Sequence, residues 1–189
     1  MTEVVYYVAA SLDGFIAGPR HELDWLQAFE GGESDYGYAD FLAGVDGLVM
    51  GRSTYEVTRR LMADWPYGER PCWVLSHRPL DGTVVPTVRA GAFDIDSLRR
   101  GWSARACRRV WLVGGGDVAA QFARSYAIDQ IVLSTVPVTL GSGIALFAQG
   151  VDGLAGFVDT QTPRQWPNGL TQRVLRRAAR AAEGLTKPS

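Results

Sequence analysis

The sequence predicts an α/β fold with a mostly parallel central sheet, helices on both faces and an antiparallel hairpin at the C-terminal end. Three observations predict it. Apolar runs of four to seven residues recur along the chain without polar alternation, as in strands buried on both faces. Segments with helical periodicity lie between those runs. After Asp159 the pattern changes to two further strand-like segments around a Pro/Asn/Gly stretch, which suits a closing hairpin.

VVYYVAA at 4–10 is the first predicted strand. Ser34 is placed to cap a helix whose Tyr38, Phe41, Leu42 and Val45 share a face, and Gly44 closes it. The strand GLVM follows at 47–50, a second helix is expected after Arg52, and CWVLS at 72–76 is the next strand. A third helix is predicted over 94–106 with Ile95, Leu98 and Trp102 inward, then the strand VWLV at 110–113. The fourth helix starts at the triple glycine and buries Val118 and Phe122, while Ala119 and Ala123 permit close packing. IVLSTV at 131–136 is a buried strand, and GFVDTQ at 156–161 with LTQRVL at 170–175 makes the hairpin. From Arg176 the chain turns Ala/Arg-rich and is expected to be solvated or frayed. Residues 1–176 thus read as one domain and 177–189 as a flexible tail. There is no internal repeat or linker.

The composition excludes several function classes. Nineteen basic residues against 20 acidic ones leave a net charge of −1 on 189 residues, which argues against a nucleic-acid binder. Hydrophobic residues at 47% and charged ones at 21% are the proportions of a globular chain. Cys72 and Cys107 have no metal-ligand or disulfide spacing and read as core thiols in a reducing, cytoplasmic compartment. His21 and His77 are isolated, so no metal site is expected. The N-terminus lacks the basic leader of a signal peptide. The uncharged stretch 130–151 has the length of a membrane span, but Pro137, Gly141 and Gly143 interrupt it, so no membrane partner is expected.

Glycine is enriched, and two of its clusters sit where a strand passes into a helix. In VWLVGGGDVAAQF, at 110–122, Gly114, Gly115 and Gly116 let backbone N–H groups approach an anion where the helix dipole favours negative charge. Taken alone, this turn fits a ligand-free reversal equally well. A Rossmann dehydrogenase would carry it after the first strand, and here it comes late. In GLVMGRSTYE, at 47–56, Gly51 is followed by Arg52, Ser53 and Thr54, a guanidinium and two hydroxyls suited to phosphate oxygens. A plain capped helix is the commoner meaning of one such site, but two in one chain favour a dinucleotide. A third cluster, Ser76, His77 and Arg78, ends the strand CWVLS just before Pro79, where a ribose phosphate or a polar surface loop would each fit.

The unbroken order SLDGFIAG, DWL, MGRSTYE, VLSHRP, VGGGDVAAQF and VPVTLGSGIALF resembles the dihydrofolate reductase-like three-layer fold. The branch it resembles holds the reductase half of bacterial bifunctional riboflavin-pathway deaminase-reductases and their stand-alone relatives. The resemblance implies NADPH as cofactor. It places Ala9, Ala10 and Ile16 at the nicotinamide, and Gly51, Arg52, Ser53 and Thr54 at phosphate and ribose. Leu75, Ser76, His77 and Arg78 fall at the adenosine end, and Gly114, Gly115, Gly116, Asp117 and Val118 at the pyrophosphate, with a cis bond between Gly114 and Gly115.

The chain also departs from these families. Ala119 stands where folate reductases commonly carry Tyr, and the deaminase motif is absent. For the substrate end, Asp35 matches the position of the folate reductases' carboxylate, 16 residues before Gly51. It is the candidate catalytic acid if it is buried with a raised pKa; otherwise it is a first-turn carboxylate and water supplies the proton. Asp13 and Trp25 are further candidates, or a turn anchor and a packing residue respectively. The expected function is NADPH-dependent reduction of a pterin-like or ribosylamino-pyrimidine heterocycle. The alternatives are a dihydrofolate or pterin reductase proper and a non-catalytic NADPH-binding protein. A homodimer is common among similar proteins.

Overall fold

The structure, a computed structural model, describes residues 2–29, 34–82, 84–148 and 150–178. Strand β1 (Glu3–Ser11) shows how the sheet is built. Val4, Tyr6, Val8 and Ala10 enter one hydrophobic cluster and Val5 enters the other, so the strand is buried on both faces. After β2 (Phe15–Ala17) and a 3-10 segment at Asp24–Phe29 come α1 (Tyr38–Ala43), β3 (Gly47–Gly51) and α2 (Arg52–Leu61). Then follow β4 (Cys72–Leu75), β5 (Val88–Gly91), α3 (Ile95–Ala104), β6 (Arg109–Gly114) and α4 (Gly116–Arg124). The chain continues through β7 (Gln130–Val136), β8 (Ile144–Ala145), β9 (Phe157–Asp159), β10 (Arg164–Gln165) and β11 (Thr171–Arg177).

Nine strands form one sheet in the order β10-β11-β7-β1-β6-β3-β4-β5, with β9 also on β11. β1, β3, β4, β5, β6 and β7 run parallel to their neighbours in this group, while β11 is antiparallel to β7, β9 and β10. Leu98 and Trp102 of α3 and Val118, Ala119 and Phe122 of α4 pack on one face; Phe41 of α1 and Tyr55 of α2 pack on the other. Trp102 is fully buried, and truncating it to alanine would cost about 3–5 kcal/mol.

Cys72 and Cys107 are buried free thiols, as expected. No helix among the described residues is long and apolar enough to cross a membrane.

Three local expectations need correction. Helix α1 is not capped by Ser34, whose hydroxyl accepts from Tyr36 N at 3.0 Å. Its first amides are instead held by Asp35, which accepts from Gly37 N and Ala39 N, because Gly37 turns left-handed and delays the helix by a turn. The C-terminal pairing extends further than the hairpin predicted, since β11 joins β7 and thereby the main sheet. Arg176 and Arg177 therefore belong to a strand rather than to a frayed tail: Arg176 meets Glu3 at 2.8 Å, and the Arg177 guanidinium lies 4.5 Å from the Phe157 ring centre. The tail expectation otherwise falls on 179–189, outside the described residues.

Candidate active site

Parallel strands that end side by side leave a crevice beyond their carboxyl ends, because each connection leaves toward one face or the other. Here β3, β4 and β6 end at Gly51, Leu75 and Gly114, and a cavity of about 890 Å³ opens there and runs beside β1. Of the expected site residues, Ala9, Ile16, Gly51, Arg52, Ser53, Thr54, Leu75, Ser76, His77, Gly115, Gly116, Asp117 and Val118 line it. Four do not. Ala10 is buried in the core, Gly114 is buried within the turn, Arg78 is exposed, and Asp35 lies on the surface.

The two glycine motifs meet at one end of this cavity. Helix α2 starts at Gly51 and α4 at Gly115, and no side chain caps either N-terminus. A Cβ on Gly51 would sit 3.1 Å from Val118 Cγ2, and one on Gly115 would sit 3.4 Å from Thr54 Oγ1, so the two helix starts abut. Gly114 has φ +125°, open to glycine, and the Gly114–Gly115 bond is cis. The result is a double set of N–H donors aimed at one space, with two helix dipoles favouring an anion there. Helix α3, by contrast, is capped by its own Asp94, which accepts from Ser97 N at 2.7 Å.

The loop after β7 laces the motifs together. Ala148 N donates to Gly116 O, Leu146 N donates to Gly14 O, and Tyr6 Oη donates to Leu146 O. A Cβ on Gly116 would overlap the Ala145 carbonyl, so this glycine is required by close backbone approach. Asp13 accepts from Leu140 N and Gly141 N and from the Ser11 hydroxyl at 2.6 Å. The Ser11 hydrogen bond, reinforced by those amides, lowers its pKa to about 2. It anchors two loops and does not line the cavity, and neither does Trp25.

Arg52 is more committed than the motif suggested. With its side chain 15% exposed, it pairs with Glu56 at 2.5 Å and Asp81 at 2.6 Å and donates to the Pro79 carbonyl. Its guanidinium therefore holds α2 to the 79–81 segment. Ser76 closes a turn by donating to Arg78 O and accepting from Arg78 N. Beyond Leu75 a second cleft of about 550 Å³ adjoins, bordered by Phe93, Gln121, Arg99 and Arg124.

The other end of the cavity is apolar. Tyr7, Leu23, Leu26, Val57, Leu61, Met62, Tyr67 and Trp111 border it, none of them singled out from the sequence. On α2, Thr54, Val57, Thr58 and Leu61 share a face distinct from that of Tyr55, and only the burial of Tyr55 in the structure shows which of the two faces is left for the cavity. Tyr7 Oη donates to Tyr36 O and accepts from Gln172 Nε2, and burial pushes its phenol pKa up. Asp35 corrects the catalytic expectation. It is exposed, and hydrogen bonds from the Ala39 and Gly37 amides hold its carboxyl below the usual range. A general acid needs the opposite shift, and Asp35 is not a first-turn carboxylate either: it precedes the left-handed Gly37 and holds the helix's first amides from outside, while Asp40 occupies the first turn. The described residues contain no cluster of three or more His, Cys, Asp or Glu able to hold a metal.

Comparison with known proteins agrees with this geometry. The family model of the RibD C-terminal domain matches residues 2–155. Uncharacterized protein YwjB of Bacillus subtilis (strain 168) is 38% identical over 151 residues, 77% of this chain and 82% of YwjB. A crystal structure of a Shewanella sp. PV-4 protein named for riboflavin biosynthesis superposes with a TM-score of 0.79 at 30% identity, over 95% of this chain and 100% of that one. Dihydrofolate reductase from Enterococcus faecalis, complexed with NADP(H), superposes with a TM-score of 0.66 at 16% identity, over 94% and 97% respectively. At that identity the likeness speaks for the fold, which is dihydrofolate reductase-like.

Proposed function

Because this chain belongs to the RibD C-terminal domain family, we propose that it is an NADPH-dependent reductase of a small heterocycle, akin to the riboflavin-pathway reductases. One observation carries the reading: two uncapped helix N-termini, at Gly51 and Gly115, abut at one end of a cavity of about 890 Å³. Backbone donors and hydroxyls in that arrangement suit a pyrophosphate, and the volume suits a cofactor beside a substrate.

The reduced nicotinamide, when bound, supplies a hydride. In this reading Ala9 and Ile16 border its ring, with Ala10 packed behind. Amides of Gly115, Gly116, Asp117 and Val118 hold the pyrophosphate, with Gly114 shaping the turn behind them. Gly51, Ser53 and Thr54 take phosphate and ribose oxygens, and Arg52 orients them through the guanidinium N–H groups its partners leave over. Leu75, Ser76 and His77 flank the adenosine, and Arg99 and Arg124 on the adjoining cleft offer charge for a 2′-phosphate. Only two carboxylates among the described residues line the cavity, Asp94 and Asp117, and both stand at helix starts. In this reading the proton that balances the hydride is taken from water.

A thermal-shift titration tests this. Ligand at about a hundred times Kd stabilises the native form by about 2.7 kcal/mol, which for a chain of this size raises Tm by roughly 5–10 °C. NADPH should do so, and adding a reducible heterocycle should then consume it. Absence of any shift at millimolar NADPH and NADH would refute the reading.

A further inference from the structure

We infer that the apolar end of the cleft takes an uncharged ring compound carrying no phosphate group. The inference rests on the cofactor reading above and narrows its substrate class.

A phosphate-bearing ligand needs fixed donors, in practice Arg, Lys or a helix N-terminus. At this end the wall is mainly Leu23, Leu26, Val57, Leu61, Tyr67 and Trp111, and the hydroxyl of Thr58, which also lines it, donates to the Thr54 carbonyl. Leu61 and Met62 are 56% and 51% exposed, and both border the cavity, so apolar surface is kept open to solvent at its rim. An open apolar rim is costly to leave wetted and is explained by an apolar occupant. Both helix N-termini belong to the other end.

The charged groups are elsewhere or occupied. Among the described residues lining the cavity the only ionisable cationic side chains are Arg52, His21 and His77. Arg52 is the first residue of α2, beside Gly51 at the cofactor end, and is held there by Glu56, Asp81 and the Pro79 carbonyl. His77 follows β4, at the adenosine end. His21 stands alone on the loop before the 3-10 segment, and one imidazole does not make a phosphate grip. The sequence has no Lys or Arg at all between Arg20 and Arg52, the stretch that supplies the 3-10 segment and α1. A ribose phosphate placed here would lose its hydration without replacement. The half-buried ring of Tyr7 instead offers surface to a planar, neutral guest, with the buried rings of Tyr67 and Trp111 packed about it as apolar backing.

The test compares matched probes on the NADPH-loaded protein by tryptophan fluorescence and calorimetry. The probes are 5-amino-6-(ribosylamino)uracil, its 5′-phosphate, and the neutral bicycle lumazine. The unphosphorylated probe and lumazine should bind, and the 5′-phosphate should bind at least tenfold more weakly than its unphosphorylated partner. Leu61→Lys, at an exposed position that tolerates a charge, should shift that ratio toward the phosphate at least tenfold. Equal or tighter binding of the 5′-phosphate by the unaltered protein would overturn the inference, as would failure of both neutral probes to bind. The NADPH titration is read separately. Should NADPH itself not bind, the cofactor reading falls, and the same probe pair on the cofactor-free protein still decides the substrate class.

Discussion

At one end of the cleft, backbone N–H groups and hydroxyls converge from Gly51–Thr54 and Gly115–Val118; elsewhere its lining is the apolar side chains of Leu23, Leu26, Val57 and Leu61, the last of them exposed at the rim. The first end is made by the main chain and the second by side chains. A main-chain site depends on glycine, since any Cβ alters the approach. A side-chain site depends only on polarity and volume, so its residues can change while the fold stays. The difference teaches where this protein's cofactor and substrate preferences are set.

The largest expected effect comes from closing the main-chain end. Gly115→Ala keeps a backbone conformation open to any residue, and its Cβ meets only Thr54 Oγ1, at 3.4 Å, so the fold should survive. NADPH affinity should fall at least a hundredfold with Tm of the free protein nearly unchanged, as titration and melting would show. Next, Val57→Asp at the side-chain end should weaken neutral ring probes by about tenfold or more, through desolvation of a new carboxylate. NADPH affinity should move by less than about threefold in the same titration. If both ligands weaken together, the two ends are not separable.

The first end was legible in the sequence because it is written in glycines placed between strand and helix, and Gly114–Val118 stands out without any knowledge of packing. The strand run VVYYVAA and the inward residues Leu98, Trp102 and Phe122 were legible for the same kind of reason, a periodicity that burial enforces. The second end was not. Val57 and Leu61 look like core residues, and only the sheet's use of Tyr55 shows that another face of α2 is left over. The two short strands β2 and β8 exist through their mutual pairing, so no local pattern announces them. Asp35 was misplaced because residue counting fixes position along a chain but not exposure, and the left-handed Gly37 rotates it outward to hold Gly37 N and Ala39 N.

Arg52→Ala should have a smaller effect that sharpens the comparison. It removes the link between α2 and the 79–81 segment, so NADPH should weaken about tenfold and neutral ring probes little. The smallest effect is expected from Asp35→Asn. Turnover with NADPH and a neutral heterocycle should stay within about twofold across pH. Because the folded-state pKa of Asp35 is lowered, its stabilising effect is present above its unfolded pKa and lost as pH falls through the folded one. The variant should therefore melt slightly lower near neutrality and lose less Tm on acidification, so that the two melting curves converge at low pH. Asp13→Asn should do the same lower on the scale, toward the value of about 2 that its loop contacts set.

The most direct measurement is an amide NMR titration of the labelled protein with NADPH. The backbone resonances of Ser53, Thr54, Gly115 and Gly116 should move most and saturate together at one equivalent. Unchanged resonances at those four amides, with NADPH bound or not, would contradict the assignment of the helix starts to the cofactor.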